Sequence, residues 1–324
     1  MKYGQIPGCD KRIGRIVQGT IMLHDGNREA GIELMDSLYE LGCNAVDSAH
    51  NYGGGGSERA LGLWMESRGV RDEIFVLTKG CHFNQDRDRV TPYDLSSDLH
   101  DSLARLRTDH IDLYLLHRDD PALPVGPLVE RLEQHRREGK ILAYGGSNWS
   151  PERIREANVY AADNGCAPFV ASSPNFSMAE QVEEPWRDCL TISGRKGAEA
   201  RAWYRETQTP VFTWSSLAMG FFTGIYTRDN LDGFEGYHHA TCIRSYASEE
   251  NFRRLDRAAA MGSRHGLTSA QVAVSYVLSQ PLNLFALIGC NSATEWQDNL
   301  QSLDFELTPA DRTWLETGAG EPTH

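Results

Sequence analysis

Short apolar runs alternate along the chain with longer amphipathic stretches, and glycine, proline, asparagine or aspartate residues separate them. Short runs rich in apolar and β-branched residues between such turn signals are typical of buried β-strands. Eight runs of this kind predict strands: Arg15–Gln18, Asn44–Asp47, Phe75–Lys79, Ile111–His117, Ile141–Gly145, Phe169–Ser173, Val211–Trp214 and Phe285–Gly289.

Helical periodicity follows most of these strands, and helix-start signals support it. Pro151, for example, directly follows Ser150, which is a suitable N-cap residue for a helix that begins with proline. The predicted helices are Glu29–Leu41, Glu58–Glu66, Leu95–Leu106, Val125–Glu138, Pro151–Asn164, Ala198–Glu206, Glu249–Gly262 with Ser269–Leu278, and Ala293–Leu300.

Eight strand–helix units predict an α/β fold, a (β/α)8 TIM barrel that forms a single domain over residues 1–324. An open doubly wound sheet is the alternative, but no G-x-G-x-x-G sequence opens a helix after a strand. Two long connections, Ser177–Glu199 and Ile225–Ala247, lack helical or strand periodicity and are expected to be loops at the carboxyl face of the barrel. The remaining length is assigned to an N-terminal extension and a C-terminal segment.

Charge and cysteine content limit the partners and the compartment. The 324 residues carry a formal net charge of −13, which disfavours a nucleic acid or an anionic membrane surface and favours a small-molecule partner. Met1–Asp10 lacks the apolar core of a secretory signal, and the seven cysteines show no paired spacing. We therefore expect reduced thiols and a cytoplasmic location, whereas a homo-oligomer stays open.

Chargeable residues stand where the predicted strands end. Asp47 and Lys79 end neighbouring strands, and His117 ends the next one. Polar residues at the carboxyl ends of barrel strands face one mouth, which is where such barrels carry out their chemistry. A lysine held by a carboxylate can stabilise the phenolate of a tyrosine, here Tyr52, that donates its proton to a carbonyl oxygen. These four residues predict a catalytic group.

The same stretches resemble the aldo-keto reductases. The resemblance rests on VDSAHNYGGGGSERALG at 46–62, LTKG at 77–80, IDLYLLH at 111–117 and GGSNW at 145–149, in that order. It extends from the GT at 19–20 to the DN at 298–299 and implies a (β/α)8 barrel that reduces aldehydes or ketones with NADPH. The catalytic Asp, Tyr, Lys and His of that family match Asp47, Tyr52, Lys79 and His117, with Tyr52 as proton donor.

The resemblance also implies positions for the cofactor. Ser147 and Asn148 match the nicotinamide carboxamide pair, Ser173 stands where a glutamine is usual, and Trp214 matches the aromatic residue that stacks on the nicotinamide. The remaining cofactor positions follow the first, seventh and eighth barrel strands: Gly19, Thr20, Ser215, Leu217, Gly289, Asn291, Glu295, Asp298 and Asn299; Asp47 is counted with them.

One departure from the family concerns the choice of dinucleotide. Many members grip the 2′-phosphate of NADP with a Lys-Ser pair and a later arginine, whereas Gly289-Cys290 and Glu295 stand here. A carboxylate repels a phosphate but accepts hydrogen bonds from a free ribose. NADP is the family cofactor, and NAD is therefore a serious alternative.

The substrate is expected to be a small carbonyl compound. Candidate substrate contacts are His50, Tyr52, His117, Arg118 and Trp149, and the polar residues His50, Asn51, Arg118 and Asp119 favour a sugar-like compound. No metal is expected, because His238, His239 and Cys242 lack a fourth ligand at suitable spacing. Two other functions stay open: a Schiff-base lyase using Lys79, and a nucleotide-sensing subunit resembling the potassium-channel β subunits.

Overall fold

A computed structural model describes residues 1–324 and contains a closed barrel of eight parallel strands, as predicted. An N-terminal hairpin precedes the barrel, and the barrel order is β10-β3-β4-β5-β6-β7-β8-β9. The strands are β1 (Tyr3–Ile6), β2 (Cys9–Gly14), β3 (Ile16–Gly19), β4 (Ala45–Asp47), β5 (Phe75–Gly80), β6 (Ile111–Leu116), β7 (Ile141–Ser147), β8 (Ala171–Ser173), β9 (Val211–Thr213) and β10 (Leu284–Ile288).

Helices form the outer layer, and none of them is both long and apolar enough to cross a membrane. Side-chain caps start many of them; the hydroxyl of Ser150, for example, accepts a hydrogen bond from the amide of Arg153. The helices are α1 (Arg28–Glu40), α2 (Gly56–Arg68), α3 (Pro92–Leu106), α4 (Gly126–Arg137), α5 (Pro151–Asp163), α6 (Ala198–Thr207), α7 (Tyr237–Tyr246), α8 (Glu249–His265), α9 (Ser269–Leu278), α10 (Ala293–Gln301) and α11 (Pro309–Thr317).

The inside of the barrel is a dry apolar core. Phe212 stacks between Phe75 and Phe285, with ring centroids 6.0 Å and 4.5 Å away. Successive side chains of a strand point to opposite faces, so every second residue of a barrel strand faces inward. Buried aliphatic residues of the same parity, such as Leu77 and Leu115, complete this core. The barrel is therefore packed with side chains and offers no passage through its centre.

The N-terminal extension forms an antiparallel hairpin that closes the base of the barrel. Ile6, Cys9 and Ile13 of β1 and β2 belong to the same buried cluster as the inward-facing barrel residues. The connecting turn contains Gly8 at φ 83°, a conformation that glycine adopts without steric cost. The Pro7-Gly8 pair between two alternating segments is a turn signal.

One expectation about the long connections is wrong, because 225–247 is not irregular throughout. Its second half forms α7, whose buried side includes Thr241, Cys242 and Ser245. Three of its four buried residues are small and mostly polar, and the fourth is Tyr246 at its end, so an apolar periodicity does not reveal the helix. The C-terminal segment likewise contains α11, which Thr308 caps and Asp311 supports in a reciprocal capping box.

Candidate active site

The inward parity of the barrel strands continues beyond the apolar core into the mouth, the end where the carboxyl termini of the strands lie. Two residues after Leu77 comes Lys79, and two residues after Leu115 comes His117. The register pairs Lys79 with Leu115 on the neighbouring strand. The same step of two leads from Ala45, Ala171 and Phe212 to the mouth positions Asp47, Ser173 and Trp214. Two such steps lead from Ala143 to Ser147.

The four predicted catalytic residues come together at this mouth. The ammonium of Lys79 donates to Asp47 Oδ1 at 2.5 Å and to the carbonyl oxygen of Ser48 at 2.9 Å. Its third polar neighbour is the hydroxyl of Tyr52 at 3.5 Å. The ring of His117 stands edge-on to Tyr52, with centroids 5.8 Å apart. The arrangement brings a cation, a phenol and an imidazole together at the mouth.

Burial sets the protonation states of this group. Burial raises the pKa of Tyr52, although the charges of Lys79 and Arg118 oppose the increase, so the phenol is protonated at neutral pH. Burial would lower the pKa of Lys79, but the Asp47 carboxylate outweighs it and the pKa is raised. Burial, together with the charge of Arg118, holds the pKa of His117 well below its usual range, so the imidazole is neutral. Its Nδ1 is buried without a hydrogen-bond partner.

Strands β7 and β8 bring the predicted carboxamide-binding residues to one edge of the mouth. The hydroxyl of Ser147 donates to the carbonyl oxygen of Ser173, and Asn148 lies at φ 60°. The amide group of Asn148 donates to the His117 carbonyl oxygen at 3.2 Å and accepts from the indole of Trp214 at 3.2 Å. Close strand contact allows this arrangement, since a Cβ on Gly145 would lie 2.0 Å from the Ala171 oxygen. The hydroxyl of Ser173 has no partner.

The segment after β9 is strained. Ser215, Ala218 and Met219 all have left-handed φ angles between 51° and 57°. Such conformations are unfavourable for residues other than glycine and occur frequently at ligand-binding segments. Ser215 and the half-buried Leu217, two predicted cofactor positions, lie in this segment next to Trp214.

The ends of β3 and β10 bring the remaining predicted cofactor positions together. A Cβ on Gly19 would lie 3.5 Å from the amide nitrogen of Gly289, so the two backbones are close. The Thr20 hydroxyl is buried and bonded to the Asp47 carbonyl oxygen and to Ser57. Asn299 is also buried and donates to Cys290 Sγ and to the Glu295 carbonyl oxygen, while Asn291, Glu295 and Asp298 are exposed.

Two predicted substrate residues do not face the mouth. The imidazole of His50 turns toward α3, where its Nε2 lies 3.1 Å from Asp101 and 3.5 Å from Asp98. Trp149 is fully buried between barrel and helices, and its indole donates to the Arg118 carbonyl oxygen at 3.0 Å. The expectation that they contact substrate is therefore corrected: acidic neighbours hold His50, and Trp149 supports the loop that carries Arg118.

The structure adds His82 and Phe83 to the mouth, two residues that the sequence patterns did not single out. The ring of His82 lies 4.8 Å from that of His117, and Phe83 lies under the guanidinium of Arg118 at 5.7 Å. Both lie within three residues of the strand end at Gly80, after Cys81, so their place after a strand end was an available signal. On the other side, Trp186 lies 5.9 Å from Trp214 and donates to the hydroxyl of Tyr237.

Known proteins are similar to this chain in sequence. A model of the aldo/keto reductase family matches residues 15–316. An aryl-alcohol dehydrogenase of Pestalotiopsis microspora is 28% identical over 315 residues, which cover 94% of this chain and 76% of the relative. An aryl-alcohol dehydrogenase [NADP(+)] of Phanerodontia chrysosporium is 26% identical over 330 residues, covering 95% and 83%.

A solved structure agrees with the fold along the whole chain. The aldo-keto reductase of Klebsiella pneumoniae, solved in complex with NADPH, has a TM-score of 0.71 and 21% identity and covers 100% of this chain and 98% of its own. The family match spans the barrel strands and the four residues at its mouth. The chain therefore belongs to the aldo/keto reductase family of NAD(P)-dependent oxidoreductases.

Proposed function

We propose that the chain reduces an aldehyde or a ketone, with Tyr52 as the proton donor, and oxidises the matching alcohol in reverse. The observation that carries this proposal is the 3.5 Å approach of the Tyr52 hydroxyl to Lys79 Nζ, which Asp47 holds in place. When the phenol gives its proton to the carbonyl oxygen, the ammonium stabilises the phenolate that remains. Neutral His117, on the other side of Tyr52, is suited to hydrogen-bond the same oxygen.

A nicotinamide dinucleotide fits the residues beside this group. The buried, partnerless hydroxyl of Ser173 is available to a carboxamide, and the half-buried ring of Trp214 is available for stacking. Ser147 and Asn148 complete that side of the proposed site, and Ser215 and Leu217 lie where a pyrophosphate would pass. Such a cofactor supplies the hydride when bound. The printed names of the relatives agree with this chemistry, since they are dehydrogenases and reductases.

The walls of the mouth support an aromatic carbonyl compound as substrate. Two residues that favoured a sugar-like compound, His50 and Asp119, are engaged elsewhere. Acidic residues on α3 hold His50, and Asp119 forms an ion pair with Arg153 at 2.9 Å. The side chains around the group are instead largely aromatic: Phe83, Trp186, Trp214 and Tyr237. Two of the relatives are named aryl-alcohol dehydrogenases.

The Schiff-base alternative fits these observations less well. An imine requires a neutral, nucleophilic amine. Lys79 is fully enclosed, donates to Asp47 and Ser48, and has a raised pKa, so its amine is held as an ammonium ion. The same contacts suit a residue that stabilises a phenolate.

Replacement of the Tyr52 hydroxyl tests the proposed function. With an aryl aldehyde and reduced dinucleotide, Tyr52→Phe is expected to lower kcat by about 10²–10⁴-fold, because general acid catalysis contributes that much, and to leave dinucleotide affinity unchanged. Nucleotide oxidation is followed by absorbance and affinity by tryptophan fluorescence. The matched control is Tyr39→Phe, which removes a phenol that donates to Glu73 at the surface.

Near-normal turnover by Tyr52→Phe would refute the assigned role. Tight dinucleotide binding by the wild-type chain without reduction of any member of a broad aldehyde and ketone panel would refute the enzymatic proposal and favour the nucleotide-sensing alternative.

We further propose that NADH binds at least as tightly as NADPH. Oε2 of Glu295 accepts the Asn291 amide at 2.7 Å, and Glu295 lies in the first turn of α10. The Glu295 carboxylate thus accepts a backbone hydrogen bond and adds negative charge in the region where members of the family bind the 2′-phosphate. A phosphate brought to this helix start would meet the Glu295 carboxylate, which repels it, instead of an arginine.

Fluorescence titration with both dinucleotides measures this preference. The wild-type chain is expected to bind NADH with equal or higher affinity, and Glu295→Gln is expected to shift the preference toward NADPH. Binding of NADPH by the wild-type chain more than about tenfold tighter than NADH, a difference of about 1.4 kcal/mol, would contradict the proposal.

A further inference from the structure

Arg118 is a buried cation without an anionic partner at the edge of the mouth. Only 5% of its surface is exposed, yet it forms no ion pair, and its Nε has no hydrogen-bond partner. Its remaining polar contacts are weak or local: Nη1 donates to the carbonyl oxygen of His117 at 3.0 Å, and Nη2 approaches Cys189 Sγ at 3.8 Å. A buried charge without a partner is costly, and buried charges in proteins are normally paired.

The acidic residues nearest in sequence do not compensate this charge. Asp119 pairs with Arg153, and the side chain of Asp120 accepts the amide of Ala122. Cys189 stays a neutral thiol, because burial raises its pKa to about 11. The chain has a net charge of −13, so acidic side chains outnumber basic ones, yet none of them pairs with Arg118 beside the catalytic group.

Other cations in the protein show what satisfied arginines look like. Arg187 lies over the same ring, Phe83, at 4.2 Å, but it is exposed and pairs with Asp88 and Asp188. Arg254, which is as buried as Arg118, has carboxylates of Glu180 and Glu250 within ion-pair distance. The contrast leaves Arg118 as a buried guanidinium that is available to an anion entering the mouth.

We propose that Arg118 binds the carboxylate of the substrate, so that the preferred substrate is an aromatic aldehyde or ketone that also carries a carboxylate. This inference rests on the proposed carbonyl reduction for its substrate and adds the anionic group. Arginine suits the role because its guanidinium is always charged and binds carboxylates through several N–H groups. Phe83, in contact with Arg118, would orient the guanidinium and contribute to the apolar wall.

A matched pair of substrates tests the proposal: 4-carboxybenzaldehyde and its uncharged methyl ester. The wild-type chain is expected to favour the acid in kcat/KM by at least about tenfold, which corresponds to about 1.4 kcal/mol. Arg118→Met, which keeps an unbranched, flexible side chain but removes the guanidinium and its charge, is expected to abolish the preference. Arg187→Met, which removes the exposed arginine from the same ring, is expected to retain it.

A binding measurement makes the result independent of turnover. Benzoate is expected to bind the wild-type chain at least about tenfold more tightly than Arg118→Met, by tryptophan fluorescence, whereas benzyl alcohol binds both alike. Urea unfolding separates this role from a structural one, because loss of an uncompensated buried charge is expected to leave stability unchanged or increased.

Equal benzoate affinities in the wild-type chain and Arg118→Met, or a wild-type chain without preference for the acid, would overturn the proposal. If the wild-type chain reduces neither aldehyde, the broad aldehyde and ketone panel decides whether the proposed function fails, and the benzoate titration alone decides whether Arg118 binds carboxylates.

Discussion

Both ends of the barrel bury charged side chains, but those charges are satisfied to different degrees. At the base, the fully buried carboxylate of Asp112 forms ion pairs with the ammonium of Lys11 at 2.9 Å and the guanidinium of Arg71 at 2.9 Å, and it accepts the amide of Val76 at 2.9 Å. At the mouth, Nδ1 of His117, Nε of Arg118 and the hydroxyl of Ser173 are buried without partners.

The difference separates residues that stabilise the fold from residues that are ready for a ligand. A buried ion pair with all its hydrogen bonds formed offers nothing to a substrate, whereas an unsatisfied buried polar atom costs free energy until a ligand supplies a partner. The hairpin β1–β2 closes the base and provides Lys11. At the mouth, the unsatisfied atoms border the place where we expect the cofactor and the substrate.

The largest expected effect is on turnover, from removal of both members of the ion pair at the mouth. Asp47→Asn combined with Lys79→Met should lower kcat by about 10²–10⁴-fold, because the Tyr52 phenolate loses its cation. The free energy of unfolding should change little, because replacing both members of a buried pair by neutral residues is often neutral. Turnover is measured with an aryl aldehyde and stability by urea unfolding.

The single variant Lys79→Met is the control for that comparison. It leaves the buried Asp47 carboxylate without its partner and should cost about 3–5 kcal/mol of stability. A double variant that is as unstable as Lys79→Met would show that the ion pair at the mouth stabilises the fold, and one that keeps the wild-type turnover would show that the pair does not serve catalysis.

At the base, Asp112→Ala should affect stability and leave chemistry alone. Lys11 and Arg71 lose their shared carboxylate, so the free energy of unfolding should fall by about 3–5 kcal/mol, measured by urea unfolding. The kcat per folded molecule should stay at the wild-type value. Asp10→Ala, an exposed change on the same hairpin, should shift stability by less than about 0.5 kcal/mol. Loss of turnover in folded Asp112→Ala would show that the base contributes to catalysis.

The smallest effect concerns the two histidines of the mouth. Burial lowers the pKa of His82 to about 4 and that of His117 well below its usual range, while both titrate near 6.5 in the unfolded chain. Between pH 6.5 and 5 the unfolded chain binds protons that the folded chain does not, so stability falls as the pH falls. Each histidine can contribute at most about 1.4 kcal/mol per pH unit.

The variant carrying His82→Gln and His117→Gln should show a flatter dependence of the unfolding free energy on pH in that window. Urea unfolding at pH 5, 5.5, 6 and 6.5 measures it. A slope equal to that of the wild-type chain would mean that these imidazoles are not buried in the neutral form.

Much of the barrel could be predicted from the sequence because its strands are local patterns. All eight predicted strands form, with ends that differ by a few residues, as in Phe169–Ser173 against Ala171–Ser173. The hairpin and α11 lie where the sequence patterns predict only an N-terminal extension and a C-terminal segment, although Pro7-Gly8 and the Thr308 capping box are local signals for them. Hydrophobic periodicity does not predict α7, because three of its four buried residues are small and mostly polar.

The catalytic group was accessible to sequence reasoning for the same reason, whereas its surroundings were not. Asp47, Lys79 and His117 can be singled out by their residue type and by their position at strand ends. The two-residue alternation of a strand directs their side chains inward. Nothing in the local sequence shows that the imidazole of His50 turns to acids on α3 or that Trp149 is buried between barrel and helices. Those outcomes depend on neighbours that are far away along the chain.

The sequence by itself determined the order of the strands, the two-residue alternation that directs every second side chain into the barrel, and the chemical groups at the strand ends. Only the tertiary structure decided which buried charges find partners. Alternation is a property of the extended backbone and is present in any strand, whereas pairing depends on which distant side chains reach the same place. Asp112 meets Lys11 and Arg71 at the base, and Arg118 meets no carboxylate at the mouth.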